Sequence, residues 1–390
     1  MRIATLCFSK TVGGMELGLL RRGADLRSHG HHVIAILPDA PELVRHADEH
    51  GIGADIITPT LPYLDLPAAR KLSTVLAREE IELILVGRTR DLSTAMLAAG
   101  RDIAVVLYQQ MQSGIDKRDW FHNKVFKRLD GCITITERGR TEMLEHTVMT
   151  EERIDVVPPG IDTAHWCPAA VPREQARACF ELPEDAFTVG IIGGFNPGKG
   201  QREFLEGLRL AVAMEPKLAI RLHALLVGER ADDAGEYVRE LRQLRDALPF
   251  ARRVQFHPFR DDPREAFRAL DAFVLASHSE TFGMVLQEAM AMEVATVGTD
   301  SGGVPEIIVH ERTGLLVPPK NPGAIARALV RLHHDAGLRN ALAMAGRRFV
   351  MQAYDIMQQH ARVESALAAA YDRRCRMAAR TAGNADHPTA

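Results

Sequence analysis

Two carboxylates eight positions apart, Glu280 and Glu288, flank the turn Thr281-Phe282-Gly283-Met284. The run Ala272-Phe273-Val274-Leu275 ahead of them is strand-like, Ala276 to Ser279 is a polar exit, and Leu286 to Met292 is built of strong helix formers. A strand that ends in a loop opening a helix leaves backbone N–H groups unpaired at the carboxyl edge of a sheet, a place that favours an anion. One acid at the loop and a second a turn or two into the helix then have room to hold hydroxyls on either side of that anion. A sugar nucleotide has this layout: sugar hydroxyls, a diphosphate, ribose hydroxyls. A plainer reading stands beside it, with Glu280 an acid stabilised near a helix N-terminus and Glu288 on a solvated face. Downstream, Val294 to Gly298 is another strand, Thr299 to Glu306 a Gly-rich loop entering a helix, and Thr313 to Pro319 a closing strand.

A second candidate, Gly193-Gly194-Phe195-Asn196-Pro197-Gly198-Lys199-Gly200, also sits between a strand and a helix. It nearly satisfies the P-loop pattern, but Gly200 stands where a Ser or Thr would hold Mg²⁺. A P-loop ATPase or kinase is therefore poorly supported, and a tight turn with a solvated lysine is the plain alternative. In the first half, Gly13-Gly14 opens a helix after the first strand, where glycine lets the backbone approach a ligand closely; a simple helix start explains it equally well.

The block from Glu280 to Pro318 resembles the family 4 glycosyltransferases, retaining enzymes of the GT-B fold. The family's Glu-x7-Glu element is matched by Glu280 and Glu288, and its following segments by Gly302 to Glu306 and Thr313 to Pro318. The resemblance implies an α/β protein of two doubly wound Rossmann-like domains facing a central cleft. It implies that Glu280 and Lys199 are the catalytic pair, with Glu280 on donor sugar hydroxyls and Lys199 on the leaving diphosphate. Donor binding would fall to Gly14, Gly194, Asn196, Thr281, Phe282, Gly283, Met284 and Glu288, the last on the ribose. The family's phosphate-binding arginine falls on Gly194 here, leaving Asn196 or Arg202 to stand in. Its sugar-contacting histidine is replaced by glutamines, so Gln110 or Gln112 is left to bond the sugar, and Gly13, Gln110 and Asp116 are the acceptor-side candidates. No Asp-x-Asp triplet occurs, so the expectation is an enzyme that needs no metal and no cofactor, with a nucleoside diphosphate-sugar, by family habit a UDP-sugar, as substrate.

The segment from Lys117 to Arg128 interleaves basic and aromatic residues, with Trp120, Lys124, Lys127 and Arg128 at helical spacing. It suits peripheral contact with an anionic membrane, or an ordinary helix with an aromatic core face and a basic solvated one. On the membrane reading the acceptor is a glycan or lipid-linked glycan, and the chain is similar to the lipopolysaccharide core glucosyltransferases of the family. Two other classes stay open: a GT-B sugar-nucleotide epimerase or hydrolase, and a non-catalytic sugar-nucleotide-binding protein.

Elements must position these residues. At 390 residues, 46% hydrophobic and 25% charged, the chain is long enough for two ordinary soluble domains. A net charge of −3 argues against nucleic acid as a partner. No apolar run approaches a membrane span and the start is short for a signal peptide, so a cytoplasmic protein, peripheral at the inner membrane face, is expected. Five scattered cysteines read as reduced, mostly buried thiols. Strands are expected at 2–8, 32–37, 54–58, 83–86, 104–108 and 131–134, alternating with helices, which means parallel sheets. The pattern restarts at 187–193 and continues through strands at 219–226, 254–256 and 271–275. Residues 1–165 are expected to form the acceptor-side domain and 173–358 the nucleotide-sugar domain. A helix over 359–380 should return to the first, and 381–390 should be a disordered tail.

Overall fold

Short apolar runs separated by helical segments can bury both faces only as parallel strands covered by helices. The computed structural model, which describes residues 1–111, 114–229 and 235–385, has two units of this kind. One comprises Met1–Pro158 and the chain from Met357 onward, the other Pro159–Ile356.

In the first unit, β1 (Arg2–Leu6), β2 (His32–Leu37), β3 (Gly53–Ile56), β4 (Leu83–Val86), β5 (Ala104–Gln109), β6 (Gly131–Thr134) and β7 (Ile154–Val156) form one sheet. Its order is β3-β2-β1-β4-β5-β6-β7 with every pair parallel. Ile36, Leu72, Ile84, Val86, Leu92 and Phe126 lie in its core. The helix Ile356–Ala385 buries Val363, Leu367 and Ala370. Its Arg374 donates to the buried Asp130 carboxylate at 2.8 and 2.9 Å, and Asp130 also accepts the Val105 N–H.

The second unit holds β8 (Phe187–Ile192), β9 (Leu222–Glu229), β10 (Val254–Pro258), β11 (Ala272–Leu275), β12 (Ala295–Thr299) and β13 (Leu315–Val317). The order β10-β9-β8-β11-β12-β13, again all parallel, reverses direction between β8 and β11. Ligands bind such sheets beside this reversal, outside the carboxyl ends of the strands.

Five expectations need correcting. Strand β1 stops at Leu6 rather than residue 8 because the Phe8 N–H donates to the Asp91 carboxylate instead of a ladder. The expected strand at 219–226 starts at Leu222, because Leu218–Arg221 winds as a helical turn on the carbonyls of Pro216 and Lys217. A short apolar run does not by itself say which. Residues 381–385 continue the last helix rather than forming a tail, since no proline falls between Ile356 and Ala385; 386–390 lie outside the described residues. Only Cys7 and Cys132 are buried, while Cys179 and Cys375 are exposed. The division between units falls at Pro158, ahead of residue 165, because Ile161 bridges to Asp355 and Trp166 accepts from Arg347 within the second unit.

Candidate active site

Three loops converge at the carboxyl ends of the adjacent strands β8, β11 and β12. After β8, Gly193 and Gly194 lead to the turn Pro197–Lys199 and then to Gly200 at φ +75°. A Cβ at Gly200 would lie 2.1 Å from the Ala276 carbonyl, so only glycine lets this loop lie against the β11 exit. The His278 N–H donates to the Gly198 carbonyl at 2.9 Å, tying the two loops together. Across that seam Lys199 Nζ donates to Glu280 Oε2 at 2.7 Å, and Ser277 Oγ donates to the same oxygen at 3.2 Å.

The loop after β12 props the pair from behind. Thr299 Oγ1 donates to the Ser277 carbonyl and Ser301 Oγ to the His278 carbonyl. Gly303 N–H donates to the Glu280 carbonyl at 3.0 Å, and Gly302, at φ +61°, passes so close that a Cβ would sit 1.7 Å from that oxygen. The Gly-Gly pair that looked in sequence like a helix entry therefore seats Glu280.

Gly283, at φ +100°, begins the helix Met284–Ala291 without a side-chain cap. Its first N–H groups have no intrahelical partner and meet whatever lies beyond the helix end. Phe282 is buried edge-on against Tyr354, whose hydroxyl donates to the Glu306 carbonyl at 2.7 Å. Burial pushes the Tyr354 phenol well up, so it stays a neutral donor. Thr281 and Glu288 are half-buried on this loop and helix, whereas Gln287 is fully turned inward, donating to the Pro159 carbonyl.

The sequence left Asn196 or Arg202 to stand in for the missing arginine. Arg202 pairs with Glu206 at 3.3 Å and with Glu240 at 3.0 Å, so its guanidinium is already committed. Asn196 stays exposed beside Gly198. Three supporting residues went unseen. Gln201, wholly buried, donates to the Gly194 carbonyl and accepts from Tyr237, and Glu203 pairs with His278 at 2.8 Å. In sequence they are ordinary polar residues of a first helical turn.

In the first unit, Gly13 caps the helix Gly14–Ser28 in extended conformation. Gln110, just past β5, donates to the Met15 carbonyl at 2.9 Å and lies over Gly18, where a Cβ would meet its Oε1 at 2.3 Å. The structure thus brings Gly13, Gly14 and Gln110 to one sheet edge, with the Gln110 amide N–H spent on the helix. Asp116 is exposed and accepts from Arg118 N–H in a local turn. Gln112 lies outside the described residues. A network missed in sequence stands at the same edge: Ser9 and Thr11 hydroxyls 2.7 Å apart, Thr11 donating to the buried Glu16 at 3.2 Å. Asp91 closes it against Phe8, its carboxyl pushed up by burial.

The basic-aromatic segment splits in two. Trp120 is 71% exposed with Lys124 Nζ 4.0 Å over its ring, while Phe126 is buried and Arg128 half-buried at the other end of the helix Trp120–Arg128. Among the described residues no helix is long and apolar enough to cross a membrane, and no group of three His, Cys, Asp or Glu is placed to hold a metal ion.

Comparison with known proteins points the same way. Residues 172–349 match the model for "Glycosyl transferases group 1" and residues 12–165 that for "Glycosyltransferase Family 4". The chain is similar to a D-inositol 3-phosphate glycosyltransferase of Salinispora tropica, 30% identical over 58% of this chain and 48% of the relative. Another of that name, from Actinosynnema mirum, is 33% identical over 49% of this chain and 46% of the relative. The chain thus spans about half the length of the curated relatives it matches. Among solved structures, Anabaena HepE in complex with UDP superposes with a TM-score of 0.81 at 22% identity, covering 94% of this chain and all of the other. The lipopolysaccharide outer core galactosyltransferase WaaB gives 0.68 at 16% identity, covering 94% and 99%. At these identities the structural likeness is one of fold.

Proposed function

We propose that this chain, whose two halves match the models for glycosyl transferases group 1 and glycosyltransferase family 4, moves a hexose-type sugar from a nucleoside diphosphate donor to an acceptor hydroxyl, with retention at the anomeric carbon. The observation that carries the reading is the Lys199–Glu280 pair beside the open N-terminus of Met284–Ala291. A cation, a carboxylate and unpaired N–H groups within one loop cluster match a sugar linked to a diphosphate. In this reading Glu280 accepts from donor sugar hydroxyls, the N–H groups of Phe282, Gly283 and Met284 meet sugar and phosphate oxygens, and Glu288 holds the ribose. Lys199 stabilises charge as the bond from the anomeric carbon to the phosphate oxygen breaks. The acceptor oxygen bonds to the same face of that carbon, and its proton passes to the departing diphosphate. No metal is required, since Lys199 and the helix terminus neutralise the charge. UDP is the expected nucleotide.

For the acceptor we read a glycan or lipid-linked glycan of the lipopolysaccharide core type, reached from the inner membrane face through exposed Trp120 and Lys124. A second reading, a small phosphorylated polyol, is favoured by the name the curated relatives carry. Thermal-shift binding of UDP, GDP, ADP and their sugar conjugates tests the donor site, because a ligand of the native state raises the melting temperature. Stabilisation by one base, lost in Glu288→Ala, supports the proposal and selects donors to assay against both acceptor classes. Donor turnover without acceptor marks a hydrolase or epimerase. Absence of any shift refutes the donor site.

A further inference from the structure

The opposite edge of the first unit's sheet carries an unexplained concentration of positive charge. Leu129 and Asp130 precede β6 and Arg153 precedes β7, so they stand at the amino ends of strands whose carboxyl ends lie on the Gly13–Gln110 side. Together with Arg373, Arg376 and Met377 of the last helix they line a cavity of about 210 Å³. That volume exceeds a phosphate group several times over.

The charge count around it does not balance. Asp130, the one acid in the lining, is consumed by Arg374 and by the Val105 N–H. Arg153 donates to the carbonyls of Lys127 and Leu129, and Arg373 to those of Asp130 and Glu152. Carbonyl oxygens orient a guanidinium but do not neutralise it. Arg128, half-buried next to this cluster, has both Nη atoms buried with no hydrogen-bond partner among the described residues. Burial, then the neighbouring Arg374 and Arg101, weaken its hold on its proton. Among the described residues no ion pair is made by Arg128, Arg153, Arg373 or Arg376. Buried or half-buried charges without counter-ions are costly, and proteins ordinarily pair them. An anion in the cavity supplies the missing charge, with Arg376 and the remaining N–H groups of Arg153 as its fork-shaped donors. The apolar floor of Leu129 and Met377 leaves room for an organic body behind the charged head.

We propose that this arginine-lined cavity binds a phosphate-bearing anion at a site separate from the donor loops of the second unit. The ligand is a soluble phosphate compound or the headgroup of an anionic lipid. Such a ligand bridges the last helix to the segments before β6 and β7, so its binding tightens the docking of that helix.

The test is titration of the full chain with inorganic phosphate at fixed ionic strength, alongside flotation with phosphatidylglycerol vesicles. Arg376→Gln and Arg376→Glu are the probes, because Arg376 is exposed and its loss should leave the fold intact. Lys199→Ala reports any phosphate bound at the donor loops. The expected result is saturable binding that falls about tenfold in Arg376→Gln, disappears in Arg376→Glu and persists in Lys199→Ala. Saturation by free phosphate identifies a soluble ligand, and capture by vesicles alone identifies a lipid headgroup; either supports the site. Binding lost in Lys199→Ala and kept in both Arg376 variants overturns it, as does the absence of binding to both probes.

Discussion

Replacing Gly302 with alanine should disable the proposed donor loops without removing any side chain assigned to substrate. A Cβ there would lie 1.7 Å from the Glu280 carbonyl oxygen, where real contacts stay at or beyond 3.0 Å. The Glu280 backbone must therefore retreat by about 1.3 Å, the difference between 3.0 and 1.7 Å. Alanine at φ +61° costs a further ~1 kcal/mol, and loss of the Gly303 to Glu280 hydrogen bond about another 1 kcal/mol. A stability loss of about 2–3 kcal/mol in a unit of this size lowers the melting temperature by roughly 5–10 °C. Below that temperature the variant should remain folded but misplace Glu280, and an error near 1 Å at a reacting centre costs about 100-fold in rate. Calorimetry, circular dichroism and transfer of labelled sugar from the preferred donor measure the three quantities. A folded Gly302→Ala protein with parental turnover and donor affinity would refute the idea that the β12 loop sets the position of Glu280.

Lys199→Met should lower turnover about 10²–10³-fold. It should cost less than about 1 kcal/mol in stability, because a pair 38% and 16% exposed contributes little to folding; a large melting shift with intact turnover would make the pair structural. Gly14→Ala meets no atom within 4 Å, so the protein should melt normally while using substrate less well, and an unchanged KM would show that no ligand approaches this turn. Asp65, buried and holding the N–H groups of Ala68, Leu61 and Thr60, has its pKa lowered to about 2, chiefly by the Ala68 bond. Since the folded value lies below the ordinary 3.8, its contribution is complete above pH ~4 and fades as pH falls toward 2. Acid titration of Asp65→Asn against the parent should show the parent's advantage shrinking across that window, and a constant difference would discount the shift.

How much of this was legible depended on how far apart in sequence the partners lie. The strands His32–Leu37 and Leu83–Val86 were read to the residue because periodicity and flanking signals are local. Gly283 as a helix start and the spacing of Glu280 and Glu288 are likewise short-range patterns. By contrast, Arg202 looked available until Glu240, thirty-eight positions on, claimed it in space. Gln110 looked like a free amide until its seat over Gly18 appeared. Neither contact leaves a trace in composition or period.

From the sequence alone came two doubly wound units, the strand–loop–helix placement of both glutamates and a lysine in a glycine-rich turn, since each follows from side-chain period and backbone freedom over a few residues. Only the tertiary structure decided that Lys199 meets Glu280 across 81 positions, that Gly302 rather than a side chain sets that meeting, and that Arg374 spends Asp130 across 244. Parallel strands place their carboxyl ends side by side whatever separates them in the chain. The register of β11 against β8 and β12 is therefore what turns three unremarkable loops into one site.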